Sequence, residues 1–284
     1  MSDLDEAASD ALNDFAGGAL VFLLEGEINA ESALAPNGSG TVLRTPGGHV
    51  VVLSARHVFE DDPPAQFALG GRAVQHGVPD AIGEQFWHPS VDVAVARLKP
   101  TAAALFAHAA LPCDLVAGTN EEDPEGDTAM ICGFLARYRR TAVDHSNRRV
   151  DHDFASVTYS TDVNGKDERG RYRVAWGEGE LSGTIPASAS DAARQLGIKV
   201  GQLFDLAHPG GISGGPLWRF RKEWRKSEVW EPSKAGRLIG IASSYLPPPD
   251  SIEFCPSVAT WGDWFRDTIA KIDAGPASAG GSNV

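Results

Sequence analysis

Short apolar runs, each closed after a few residues by turn-forming ones, set the rhythm of this chain. Ala19 to Leu24, Gly40 to Arg44, His49 to Ser54 and Val91 to Leu98 are rich in Val, Ile, Leu and Thr, in continuous runs or at every second position. Buried antiparallel strands require that pattern. After the acidic stretch Glu121-Glu122-Asp123-Pro124-Glu125 comes a second series: Ala129 to Leu135, Ala155 to Thr161, Arg171 to Trp176, Pro216 to Phe220 and Leu238 to Ser243. The two series predict two β lobes joined near residues 114 to 127. The period changes near the end of the chain. There Val258, Trp261, Trp264, Phe265, Thr268, Ile269 and Ile272 recur at three and four, one face of a helix over Ser257 to Ile272. We expect an N-terminal arm or short helix over 1–17, a first lobe over 18–117, a second over 118–255, a closing helix over 256–274 and a disordered tail over 275–284.

Composition narrows the function classes. Of the 284 residues 42% are apolar, enough for a substantial core. A formal net charge of -13 repels phosphate backbones and anionic lipid surfaces, so neither nucleic acid nor membrane is an expected partner. The start Met1-Ser2-Asp3-Leu4-Asp5-Glu6 is acidic where a secretory signal is basic, and Ala19 to Leu24 has about a third of the length that spans a bilayer. Cys113, Cys132 and Cys255 are odd in number and widely spaced, which fits neither a disulfide framework nor a zinc-ligand pattern. These features predict a cytoplasmic protein whose cysteines are small buried hydrophobes. Asp151-His152-Asp153 points successive side chains to opposite faces with no further ligand cluster nearby, so we read a polar hairpin and expect no metal and no cofactor.

Three segments carry chemistry. In Gly210-Gly211-Ile212-Ser213-Gly214-Gly215-Pro216-Leu217, glycines surround one serine just before a strand. Backbone of that kind bends sharply, which lets the N–H groups of Gly211 and Ser213 converge on one substrate oxygen. Val51 to Val58 is a buried strand ending at His57, anchored yet reachable. In Val91 to Leu98 a single carboxylate, Asp92, enters an apolar strand; a lone buried charge is costly, and a histidine N–H is its obvious partner.

These segments resemble those of the trypsin and chymotrypsin family of serine peptidases, in the family's chain order of His, Asp, Ser. The resemblance extends to Gly38-Ser39-Gly40-Thr41-Val42-Leu43, which is similar to the first-lobe strand of bacterial members, and to Leu238-Ile239-Gly240-Ile241-Ala242-Ser243, similar to a substrate-pairing strand. It covers roughly residues 18 to 272. What it implies is an all-β fold, two antiparallel six-stranded Greek-key β-barrels with a C-terminal α-helix. It also implies a serine endopeptidase acting on protein or peptide substrates: Ser213 attacks the carbonyl, His57 moves the proton, Asp92 holds the imidazole, and the amides of Gly211 and Ser213 form the oxyanion hole. By the same analogy Ala207, His208 and Gly210 border the specificity pocket, and Ser243, Ser244 and Tyr245 pair with an extended substrate. Ala207 would give that pocket a small uncharged floor suited to apolar or small side chains.

The chain departs from the pattern at Ile212, where zymogen-activated members carry an Asp that receives a new N-terminal amine. Activation by that salt bridge is not expected. Arg219 to Arg237 carries seven basic residues with Trp224 and Trp230 among them, a local basic patch expected on a long hairpin near Ser213. It could recruit an acidic substrate segment or a regulatory protein, or simply cap the lobe with its tryptophans. Two other readings remain beside the peptidase: a catalytically silent peptide-binding scaffold, and an esterase using the same serine.

Overall fold

A computed structural model describes residues 11, 14–25, 35–60, 68–71, 74, 76–121, 127–144, 146, 149–162, 165–175, 210–220, 231–247 and 252–275; for 35, 36, 128, 135–144, 149–162 and 175 it describes the backbone alone. Three antiparallel sheets and few helices make up these residues. The first sheet holds β1 (Leu20–Glu25), β2 (Ala35–Arg44), β3 (Val50–Ser54), β4 (Ala68–Gly71), β5 (Ile82–Trp87) and β6 (Ala94–Leu98), in the order β4-β1-β2-β3-β6-β5. A two-residue β7 (Leu111–Pro112) runs parallel to β2 as its seventh member. The second sheet has the order β12-β11-β8-β9, from β8 (Thr128–Asp144), β9 (Arg149–Asp162), β11 (Pro216–Phe220) and β12 (Gly236–Ile241). In the third, β14 (Ile252–Pro256) lies between β10 (Arg171–Ala175) and β13 (Ser244–Leu246).

The architecture is mostly β and antiparallel, but the pairing differs from two closed six-stranded barrels. Among the described residues the first sheet has seven strands and an open path, and the strands after residue 127 divide into sheets of four and three. The chain between β12 and β13 makes this division. Leu238 to Ser243 is predicted as one strand, yet pairing with β11 stops at Ile241 and resumes from Ser244 against β14. A strand that changes sheets lets one segment serve both.

Strands with both faces covered are the ones the apolar pattern finds. Every residue of β3 and β11 is buried, and so are the first five of β1. β5, by contrast, is part-exposed along its length, and β4 is a four-residue Ala-Leu-Gly-Gly, so neither shows a run of large apolar residues. β8 and β9 outrun the predicted strands for another reason. Beyond Phe134, β8 pairs among the described residues with β9 only, and a two-stranded ribbon needs no core-facing alternation. Asp151, His152 and Asp153 lie in β9 near the end of this ribbon, opposite Ala142, Thr141 and Arg140.

Residues 14–18 form a helical turn ahead of β1. Helix α1 (Pro100–Phe106) starts on a proline, whose missing N–H costs nothing at a first helical position, and α2 (Pro232–Ala235) does the same. α3 (Val258–Ala274) follows the predicted period. Ser257 caps it by accepting the Ala259 N–H at 3.2 Å, and Val258, Trp261, Phe265, Thr268, Ile269 and Ile272 form its buried face. This helix straps distant parts of the chain together. The Trp264 ring meets His88 edge to face at 5.3 Å, and Asp273 accepts from Thr45 Oγ1 and from the Gly47 N–H at 3.0 Å. The apolar side chains of all three sheets merge into one core, with Phe22 of β1 against Phe134 of β8 at 5.2 Å between ring centroids. No helix among the described residues is long and apolar enough to cross a membrane.

Since Phe265 is buried against Trp261 on that strap, Phe265→Ala should lower stability by about 3 to 5 kcal/mol. Urea denaturation with an unchanged m-value would register it as a loss of midpoint alone.

Candidate active site

β3 delivers His57. Its five buried residues end at Ser54, and after Ala55 a single 3-10 turn, Arg56–Val58, carries the histidine out of the sheet. Val58 is buried and fixes the turn, while the His57 side chain stays 45% exposed. Asp92 comes from the chain entering β6. It lies two residues before that strand rather than inside it, because 89–92 form a turn: the Ser90 and Val91 N–H groups donate to His88 Nδ1, and the Val93 N–H donates to Val91 O at 2.8 Å. Asp92 is therefore part-exposed, at 34% of its side chain, and not the sunken charge that the apolar run predicts.

The turn brings Asp92 against His57. Asp92 Oδ2 is 2.7 Å from His57 Nδ1, and Asp92 Oδ1 accepts the His57 backbone N–H at 3.0 Å. Burial raises the pKa of this carboxyl, but the hydrogen bond and charge of His57, together with backbone N–H groups of His57 and Arg56, outweigh it and hold the group below its ordinary range. An ionised carboxylate only accepts, so Nδ1 carries the proton and Nε2 is the basic nitrogen of the ring.

The turn of Ser213 is seated by a second buried residue, Ser39 of β2. Its N–H donates to Ser213 O at 2.7 Å, its hydroxyl donates to Gly211 O at 2.7 Å and accepts the Phe134 N–H at 2.9 Å, and its carbonyl accepts the Ser54 hydroxyl at 2.6 Å. One side chain and one peptide unit thus tie the turn to β2, β3 and β8. The far side of the turn is tied to the end of β12: Gly214 N–H donates to Ala242 O at 2.7 Å, and Ala242 N–H to Gly215 O at 2.8 Å. Gly211 and Gly214 take φ of 95° and 85°, and a Cβ on Gly214 would sit 2.0 Å from Ser54 Oγ and 2.1 Å from Ser39 O. Only glycine fits there.

This packing puts the serine turn next to the histidine turn. A Cβ at Gly38 would lie 2.7 Å from both Ser213 O and the Val58 side chain, so the two turns meet over that one glycine. Gly214 and Gly215 spend their N–H groups on Ala242 O and Ile212 O. Among the described residues those of Gly211 and Ser213 donate to no protein acceptor. Ile212, where the resemblance would place an Asp, is buried and packs on Gly133, where a Cβ would meet its Cγ1 at 2.4 Å.

Other predicted residues fare differently. Gly210 begins the turn and is half-buried; Ala207 and His208 lie outside the described residues. The Ser243 N–H and hydroxyl both donate to Phe254 O, at 3.0 and 3.1 Å, so that amide is engaged within the protein rather than offered to a substrate. Ser244 and Tyr245 belong to β13, which among the described residues pairs with β14 alone and forms the edge of its sheet. β11 and β12 form the hairpin predicted around Arg219 to Arg237, whose residues 221–230 lie outside the described residues. Arg219 itself does not belong to a basic surface. It is 1% exposed and ion-paired with Glu121, with Asp127 Oδ2 at 3.8 Å, since a guanidinium inside the fold requires carboxylates. No cysteine is in a disulfide, and burial raises the thiol of Cys113 to about 12 and that of Cys255 well above its usual value, which removes both as nucleophiles. No group of three His, Cys, Asp or Glu among the described residues could hold a metal ion.

One acid was missed by the sequence reading. Glu253, on β14, is 1% exposed, and among the described residues its Oε1 has no hydrogen-bond partner. Burial raises it to about 8 against the smaller opposing pull of the Ser243 and Ser244 amides. The signal was in view, a lone carboxylate in Ile252-Glu253-Phe254-Cys255, and is the one that singled out Asp92.

No protein-family model and no curated protein matches the chain. Among solved structures it is similar to a thermostable serine protease, AL20, from an extremophilic microorganism: 11% identity and a TM-score of 0.51 over 90% of this chain and 100% of that one. The serine endoprotease from Yersinia pestis aligns at 15% identity and a TM-score of 0.49, over 93% of this chain and 67% of that one. The first likeness shows the fold: the β-rich arrangement built here is similar to that of a serine protease.

Two outcomes follow from this geometry. Gly214→Ala forces a Cβ into Ser39 and Ser54 and should cost roughly 2 to 4 kcal/mol, read by denaturant titration. For Glu253 the folded pKa is raised, so its contribution to stability is full below the unfolded value near 4.5 and is lost as pH rises toward 8. Glu253→Gln should therefore be the more stable protein at pH 8, by roughly 3 to 5 kcal/mol, with the gap closing at pH 4.5.

Proposed function

We propose that this chain is a serine endopeptidase that hydrolyses peptide bonds through an acyl-enzyme, with His57, Asp92 and Ser213 as its catalytic residues. The observation that carries the reading is the two-point grip of Asp92 on His57, ring nitrogen at 2.7 Å and backbone N–H at 3.0 Å. That grip fixes both the tautomer and the orientation of the imidazole, so Nε2 is the base that takes the Ser213 proton and returns it to the leaving amine. The carboxylate stabilises the imidazolium formed in between.

The N–H groups of Gly211 and Ser213 are the oxyanion donors in this reading, supported by carbonyls that Ser39 holds in place. Because that scaffold is latched from inside the core and Ile212 fills the site of an activating Asp with apolar contact, the enzyme needs no cut N-terminus to order its serine turn. An extended substrate adds as a strand along the outer edge of β13, pairing with Ser244 and Tyr245. Three cysteines outside any disulfide support action in a reducing, intracellular compartment, on a limited set of protein targets.

A fluorophosphonate probe should label the wild type and leave Ser213→Ala unlabelled, and Asp92→Asn should lower the labelling and cleavage rates by about 10,000-fold with little loss of stability. Peptide cleavage in the same preparation separates a peptidase from an esterase, which would turn over esters alone. Neither labelling nor turnover would leave a peptide-binding scaffold.

A further inference from the structure

We propose that Glu253 selects the substrate side chain next to the scissile bond, and that it selects a cation, Lys or Arg. The inference rests on the peptidase reading and names its substrate class. It begins from position. β14 places Glu253 directly opposite Tyr245 of β13, the strand whose outer edge would take the substrate. Two residues before β13, Ala242 is hydrogen-bonded in both directions to Gly214 and Gly215. The carboxyl of Glu253 faces the intervening backbone, at the amides of Ser243 and Ser244. A buried acid thus lies beneath the segment that joins the serine turn to the substrate-pairing edge.

Among the described residues the acid has no ionic partner. Its strand neighbours on the same face and in register are Cys255, Val174 and Tyr245, and among the described residues no Lys, Arg or His pairs with it. Arg219, also buried, is by contrast answered by Glu121 and Asp127. Burying a carboxyl without such a partner costs several kcal/mol, and an apolar residue on β14 would avoid that cost. The missing partner is a cation brought by the substrate. Lys and Arg carry their charge at the end of an apolar stem, which reaches a buried carboxyl while the substrate backbone stays on the edge of β13. A cationic head group displaces the carboxyl proton to solvent and pairs with the carboxylate, whereas an acidic side chain would bring a second buried carboxyl against the first and an apolar one would leave the carboxyl unanswered. A net charge of -13 favours approach of cationic chains at long range as well. This replaces the apolar preference expected from Ala207.

The test compares peptidyl diphenyl phosphonates that carry Lys, Arg, norleucine or Glu at the reactive residue, on full-length wild type and Glu253→Gln, with a side-chain-free fluorophosphonate as reference. Wild type should react at least about 30-fold faster with the Lys or Arg reagent than with norleucine. In Glu253→Gln that ratio should fall to within about 3-fold, each rate being taken relative to the fluorophosphonate rate of the same protein. Glu253→Asp keeps the charge on a shorter stem, so it should keep the cation preference and alter the Lys to Arg ratio, and it serves if the Gln variant does not fold. A wild type that prefers norleucine or Glu, or a Lys preference that survives Glu253→Gln, overturns the assignment to Glu253 and leaves the peptidase reading standing. Silence of the wild type toward every reagent, the fluorophosphonate included, overturns both.

Discussion

The geometry of the site depends on one small buried hydroxyl. Ser39 occupies the place where β2, β3, β8 and the serine turn meet, and each of its polar atoms has a partner from a different segment. Buried hydrogen bonds of this kind contribute modestly to net stability, but an unmade one costs the full desolvation of the group left behind. The turn therefore has a single low-energy seat. Glycines at 38 and 214 allow the backbones to come that close, and their neighbours leave no room for a Cβ. The serine segment is held from inside the core, so its order needs nothing delivered from outside.

Two carboxyls show how environment divides one chemistry into two. Asp92 sits at the mouth of β6 with two donors from His57, which keeps it ionised in spite of partial burial. Glu253 sits inside β14 with little to stabilise its charge, so it holds its proton to near pH 8. Both are lone acids in apolar segments, and the sequence does not distinguish them. The difference lies in the donors each one meets, which come from other elements of the fold.

Legibility followed burial. β1, β3, β11 and the closing helix were plain because both faces, or one whole helical stripe, meet the core. β5 and the outer parts of β8 and β9 were not, since half-exposed strands and two-stranded ribbons can be built from almost any polar mixture. Of the site, His57, Asp92 and the Gly-rich turn could be picked out because each breaks a local pattern in a way that only chemistry or tight packing explains. Ser39 could not, as a serine between two glycines looks like an ordinary turn until three other segments close around it.

By itself, then, the sequence determined the strands with long apolar runs, where the closing helix falls and which residues are chemically out of place, because hydrophobic period and local breaks in it are properties of neighbours along the chain. Tertiary structure alone decided that the Asp92 turn faces His57, that the strand after Ile241 changes sheets, that Arg219 is an interior ion and that Glu253 lies beneath the Ser243 amide. Those are meetings between residues on different elements, up to 98 positions apart. Such contacts are fixed by how three sheets and one helix pack, and no local pattern encodes them.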